Sequence, residues 1–273
     1  MANYPLTTPE IAFVLADSRG AALAHRGARS RFYAASTIKL AVLLAVGYAV
    51  HEGEMALDRE FPATRTFRGS DGAEFTLTGD HLDAEFPPPG ARVALTDLLL
   101  GMISRSSNEA TNIMMRAVGL DAIAEIVADA SLVDTRVERL IGDESASARG
   151  LTNETSPADL VSLLRATTSG RVGDRAPLPP EMVGFFRSIL EQQRMAPIGE
   201  ALPGGRRWGS KSGEVPGYRH DVAYIGDPES PDCRFLAVCT RGYQQDAADE
   251  AIHSLVTALG LTRGGSRRPE DRR

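Results

Sequence analysis

A chain of 273 residues, 42% hydrophobic and 24% charged, is long enough for one large or two small domains and can bury a substantial core. Its 30 basic residues against 36 acidic ones leave a net charge of −6, which excludes a chain built mainly to grip nucleic acid or an anionic membrane. No apolar run reaches the roughly 18–20 residues needed to span a bilayer. The opening MANYPLTTPE lacks the basic and apolar regions of a secretory leader, so a cytoplasmic location is expected unless a leader has been removed.

In chain order, residues 10–27 predict a hairpin that turns at Ser18-Arg19-Gly20. Ala34 to His51 predicts a long apolar helix without proline. The stretch 52–93, with Gly53, Gly69, Gly79 and Pro87-Pro88-Pro89-Gly90, reads as irregular. Thr96 is expected to cap a helix over 97–105, followed by helices over 108–118 and 120–130. Residues 134–155 are polar and lack a clear period. Ser156-Pro157 opens another helix, with serine as N-cap and proline at the first helical position, and a further helix is expected over 180–195.

From Arg206 the period changes to that of strands, over 207–214, 219–225 and 234–241, with turns at Pro216-Gly217 and Asp227-Pro228. An amphipathic helix over 245–259 follows, and residues 263–273 read as a disordered, Arg-rich tail. Two strands at one end and three at the other pair most simply into one antiparallel sheet, which makes the chain α+β. Residues 1–40 and 200–262 are then expected to form a sheet lobe, with 41–199 as an inserted helical lobe. A cleft between two such lobes is the default place for a small ligand.

The two cysteines, Cys233 and Cys239, lie six residues apart on what reads as one strand. That spacing is roughly 20 Å, too far for a disulfide, so two reduced thiols are expected. Without a ligand cluster around them, neither a metal nor another cofactor is expected. A sharper signal lies in the basic residues: only two are lysines, Lys39 and Lys211, and the rest are arginines. A GC-rich genome writes arginine wherever a positive charge suffices. A lysine that survives marks a place where a compact amine able to lose its proton is needed.

Lys39 stands three residues after Ser36, at the start of the long apolar helix. This spacing puts hydroxyl and amine on one face, and the helix N-terminus favours a developing oxyanion. A buried lysine with a depressed pKa can deprotonate such a serine. Taken alone, Ser-x-x-Lys is a weak signal that a capping serine and a snorkelling lysine also give, and Ser106-Ser107-Asn108 by itself reads as a plain helix cap. Lys211 lies in Gly209-Ser210-Lys211-Ser212-Gly213, whose small residues let a substrate approach the backbone closely. His220-Asp221 could be imagined as a dyad with Ser36, but neighbours on a strand point to opposite faces, so a structural role is expected.

Together, S-x-x-K, S-x-N and K-S-G in this order resemble the serine penicillin-recognising enzymes, and within them class A β-lactamases and related serine hydrolases. RFYAASTIKLAVLLAV resembles the family's nucleophile helix and LTDLLLGMISRSSNEATNIMM its S-D-N helix pair, down to Asn112. TNETSPADLVSLL is similar to the segment after its omega loop, and KSGEVPGYRHDVAYIG to its third and fourth strands. Both lysines fall in motif slots. The resemblance implies a β-lactamase/transpeptidase-like fold, with a five-stranded antiparallel sheet flanked by helices and an inserted all-α lobe.

It also implies roles. Ser36 would be the acylated nucleophile, Lys39 its base or proton relay, and Ser106 the shuttle to the leaving group. Asn108 would hold a substrate amide, and Lys211, Ser212 and Arg219 a substrate carboxylate. The backbone N–H groups of Ser36 and Glu214 would form the oxyanion hole. Three departures stand out. Ile141 falls where class A enzymes carry the deacylating glutamate, leaving Asp143 or Glu144 as displaced candidates. Glu214 replaces a small residue, and its carboxylate would either repel an anionic substrate or pair with Lys211. Ser107 stands in the middle of S-D-N.

The expected activity is a Ser-Lys acyl hydrolase of a small amide, lactam or ester, acting as a monomer without nucleic-acid or membrane partners. The alternatives are a sensor-type module that acylates without turnover and a carboxypeptidase-type cell-wall enzyme.

Overall fold

The computed structural model describes residues 8–262; the Arg-rich tail expected to be disordered lies outside them. Five strands form the central antiparallel sheet: β1 (Glu10–Asp17), β2 (Ala22–Arg26), β3 (Trp208–Val215), β4 (Tyr218–Ile225) and β5 (Arg234–Arg241). Their order across the sheet is β3-β4-β5-β1-β2. The N-terminal strand thus pairs with the last one, from Glu10 opposite Arg241 to Asp17 opposite Arg234, as the two-ended pattern of the sequence implied. β3 is left at the edge, with backbone groups free to face a ligand.

Both faces of the sheet are covered, which is why β4 is buried almost from end to end. The outer face, with Ala223, Ile225, Leu236 and Val238, packs on α8 (Pro197–Glu200) and α9 (Gln245–Ala258) through Ile198, Ile252 and Val256. The inner face shares one continuous core with the helices. At its centre is α1 (Lys39–His51), buried on every side from Lys39 to Ala49, as expected of a helix whose apolar residues run all round. Gly47 gives it room: a Cβ there would stand 2.7 Å from the Phe186 ring.

Around α1 lie α2 (Leu95–Ser104), α3 (Asn108–Val118), α4 (Leu120–Asp129), α5 (Glu144–Ala148), α6 (Pro157–Ser169) and α7 (Pro180–Leu190). Ser156 caps α6 as anticipated, its side chain accepting from the Asp159 N–H. Thr96 does not cap α2. That helix begins two residues earlier, at Leu95, straight out of a short strand, Arg92–Ala94, and the Leu95 N–H finds the Arg59 carbonyl at 2.9 Å instead.

α7 also stops short of Met195. Gln193 donates to the Ile103 carbonyl and the Arg194 N–H to the Ser104 carbonyl, so the chain turns to dock on the end of α2. The stretch expected to be irregular holds two small ribbons, Glu60–Pro62 with Arg92–Ala94 and Thr66–Arg68 with Glu74–Thr76. Phe32–Tyr33, Asn153–Thr155 and Arg136–Val137 form a third small sheet that ties the segment before α1 to the loop 134–155.

Candidate active site

The site lies where the edge strand β3 meets the start of α1. Ser36 sits in a single 3-10 turn, Ala35–Ile38, that leads into the helix. The preceding Ala35 has φ +48°, a left-handed conformation that costs a residue with a Cβ about 1–3 kcal/mol and is seen most often at functional positions. β3 passes so close that a Cβ on Gly213 would stand 3.0 Å from the Ser36 backbone nitrogen and from the Ala34 carbonyl. A side chain there would crowd the backbone, which gives Gly213 a role that the motif alone did not specify. Ser36 remains partly exposed, and among the described residues its hydroxyl has no hydrogen-bond partner.

Lys39 is fully buried one turn on. Its Nζ lies 2.6 Å from the Ser106 carbonyl, 2.9 Å from Asn108 Oδ1 and 3.0 Å from Ser106 Oγ. Burial, and after it the charge of Lys211, push its pKa well below the usual lysine value, against the pull of Glu109 and Asp83. Ser106 itself has φ +62°, the second strained non-glycine residue beside the site.

Lys211, equally buried, reaches the same hydroxyl from the other side at 3.2 Å and donates to the Ser212 carbonyl at 2.8 Å. Burial lowers its pKa to about 7, with Asp221 opposing and Arg219 adding to the shift. Asn108 Nδ2 donates to the His81 carbonyl at 3.1 Å, so its amide is held at both ends.

Arg219 is not a free anion anchor. Directly opposite Glu214 in the β3–β4 register, it gives Nη1 to the Glu214 carboxylate, and Nε and Nη2 to Asp249 on α9 at 2.7 and 3.2 Å. Glu214 pairs with Arg219, and Lys211 points elsewhere. Asp249 was not foreseen, since an acid on a terminal amphipathic helix carries no signal of its partner.

The loop after α4 is equally well held. The Asn112 side chain clamps the Ile141 backbone in both directions, accepting from its N–H at 2.9 Å and donating to its carbonyl at 2.8 Å. Asp143 is buried and saturated: its Oδ1 caps α5 through the Ala146 N–H and takes the Ser145 hydroxyl, and its Oδ2 takes the Ser70 N–H. These bonds hold its pKa down in spite of burial. Glu144 is exposed. The Gly142–Ser145 stretch lines a cavity of about 300 Å³ together with Gly69, Asp71, Glu74 and His81.

His220 and Asp221 point to opposite faces. His220 accepts the Thr240 N–H on Nδ1, leaving Nε2 to donate to the Tyr33 carbonyl; burial lowers its pKa to about 4. Asp221 accepts from the Ile198 N–H, and burial raises its pKa to about 6. Cys233 and Cys239 are both free and buried. Among the described residues, no His/Cys/Asp/Glu group is placed to hold a metal ion, and no helix is long and apolar enough to cross a membrane.

A five-stranded antiparallel sheet with helices on both faces, and a buried lysine one turn after a serine at a helix start, define a serine penicillin-recognising type of protein. The chain belongs to the beta-lactamase enzyme family, whose profile matches residues 7–260. The β-lactamase of Sphaerobacter thermophilus DSM 20745 is 27% identical, with a TM-score of 0.76 and 94% of each chain covered.

A variant of the last common ancestor of Gram-negative bacterial class A β-lactamases has a TM-score of 0.76 at 22% identity, covering 94% of both chains. A mutant of PBP-A, in an acyl-enzyme complex with penicillin G, has a TM-score of 0.72 at 19% identity, covering 92% of this chain and 90% of that one. These last two likenesses speak for the fold alone. No curated protein matches the sequence.

Proposed function

We propose that the protein is a Ser-Lys acyl hydrolase that forms an acyl-enzyme on Ser36 with a small ester, amide or lactam. The observation that carries this reading is the partly buried chain of hydrogen bonds from Lys39 through Ser106 to Lys211, assembled next to an unencumbered serine. Ser36 Oγ attacks the carbonyl carbon and its proton passes to the Lys39 amine. The oxyanion is held by the Ser36 and Glu214 N–H groups. The bond to the leaving nitrogen or oxygen breaks as a proton reaches it through Ser106, and Lys211 supports that hydroxyl. Lys211 and Ser212 line the end of the groove beside it, and Asn108 offers its amide to the acyl portion.

Deacylation is the weaker half. Ile141 presents no carboxylate, Asp143 is consumed in capping, and Glu144 faces outward. Lys39, returned to its neutral form, is the remaining base for an entering water. Small acyl groups that leave room for that water turn over, and a bulky penicilloyl group that excludes it accumulates. The reading as a module that acylates without turnover rests on the same Ile141. A carboxypeptidase needs an anchor for its substrate's terminal carboxylate, and the ion pairs of Arg219 speak against one.

The test is intact-mass spectrometry after mixing with a penicillin, alongside steady-state assays with p-nitrophenyl esters. A persistent penicilloyl adduct on Ser36 beside modest esterase turnover is expected. Absence of any adduct on Ser36 with either reagent overturns the assignment. Adducts that never clear, esters included, select the module without turnover.

A further inference from the structure

The mouth of the site beside β3 carries an unusual charge arrangement. Glu214 is the residue after Gly213, whose Cα lies against the Ser36 backbone. One carboxylate oxygen, Oε2, is paired with Arg219; among the described residues the other, Oε1, takes no hydrogen bond, and the side chain keeps a third of its surface exposed. Arg219, whose side chain is only 7% exposed, is enclosed by Glu214 on one edge and by the two-point fork of Asp249 on the other.

One guanidinium facing two carboxylates leaves this cluster with a net charge of −1. The other cation at this end, Lys211, is fully buried and has committed two of its three hydrogens to Ser106 and Ser212. A carboxylate entering here would meet a partly exposed carboxylate and a cation already neutralised. An ammonium would meet an unsatisfied acceptor. The neighbouring cavity has the same sign: Asp71, Glu74 and Glu144 are its exposed acids, and it touches the site through His81, whose carbonyl binds Asn108.

We infer that this end of the groove recognises a positively charged group, a protonated amine on the leaving portion of the substrate, and that Glu214 sets this preference against anionic substrates. The inference rests on the acyl-hydrolase reading above and narrows its substrate class to cationic esters or amides. Glu214 Oε1 accepts the ammonium N–H while the Glu214 backbone N–H serves the oxyanion, so one residue couples charge recognition to the reacting carbonyl.

The experiment compares three acetate esters that differ only in the meta substituent of the phenol: aminomethyl, carbamoyl and carboxylate. The wild type is expected to rank them cation, neutral, anion in kcat/KM, with about tenfold or more between the extremes, because like charges at a binding surface are costly. Glu214→Gln is expected to shrink the cation-to-anion ratio about tenfold. Asp249→Asn, which touches no part of the catalytic group, shrinks it less, and high salt compresses the wild-type ratio.

Ratios within one protein cancel any general loss of activity. If Glu214→Gln fails to fold, Asp249→Asn and the salt series decide. A wild-type ratio near one, or a ratio unchanged in both variants, overturns the inference even if Ser36 is acylated normally. If no ester reacts at Ser36, the acyl-hydrolase reading falls by itself. The charge preference is then read from binding of the three free phenols by calorimetry, where tighter binding of the cation supports it and equal binding overturns it.

Discussion

The two sides of the groove are built with equal care and to different ends. On one side, Lys39, Ser106 and Lys211 are buried or half-buried, hydrogen-bonded to one another and flanked by the strained Ala35 and Ser106 backbones. Polar groups are held there at a cost in stability, as expected where chemistry is prepared. On the other side, the loop around Ile141 is just as ordered, pinned by Asn112, Asn153 and Asp143. The carboxylate and amides of that network are spent on backbone groups and on the Ser145 hydroxyl. The loop is clamped on both sides of an apolar residue, Ile141. On the proposed reading acylation and deacylation are separable, and the separation can be tested.

The largest effect should come from Ser36→Ala, which removes the hydroxyl proposed to carry the acyl group. No mass adduct should form with penicillin or ester, while the circular-dichroism spectrum and melting curve stay close to wild type. Lys39→Arg follows, with an expected loss on the order of 10²–10⁴ in acylation rate, the scale of a positioned acid–base group. Arginine keeps the charge but cannot release its proton. Stopped-flow acylation near wild-type speed would mean that Lys39 acts by charge alone.

Ile141→Glu addresses the opposite side. Asn112 holds the backbone at 141, so a new side chain can be introduced without rearranging the loop. Clearance of the penicilloyl adduct, followed by mass against time, should accelerate by on the order of 10². No acceleration would show that the side chain at 141 does not face the ester.

Lys211→Met tests the cost of the prepared side. The folded pKa of Lys211, about 7, is far below its ordinary 10.5. Between those values the unfolded chain binds the additional proton, so the stability penalty of Lys211 is fully present below about pH 7 and fades as pH rises toward 10.5. The methionine variant should lose activity yet melt a few degrees higher than wild type near pH 6, with the difference shrinking by about pH 10. The smallest effect belongs to Asp143→Ala. Loss of a cap should cost about 1 kcal/mol in a denaturant titration and leave the clearance of a penicilloyl adduct unchanged. Slower clearance would restore Asp143 as a base.

Several features were legible in the amino-acid order because they are local. The helix start holding Ser36 and Lys39, the Ser156-Pro157 cap and the three C-terminal strands each announce themselves within one turn or one strand, through periodicity and capping chemistry. The scarcity of lysine marked Lys39 and Lys211 before any coordinate did. Pairings across long separations were not legible. The bond from Lys39 to Ser106 spans 67 residues and that from Arg219 to Asp249 spans 30. The first was reached only through a family resemblance, and the second was missed.

Charge at a distance is not written in a local pattern. Whether Arg219 is open to a substrate or already neutralised depends on where α9 packs, and that is set by Ile252 and Val256 burying themselves on the outer face of the sheet. The same holds for the lysines. Their presence is a matter of sequence, but their depressed pKa values come from complete burial, which arises only when α1, α3 and the edge strand close around them. The order of residues supplies the reacting groups. Packing decides which of them are neutral, which are paired and which are left free to meet a substrate.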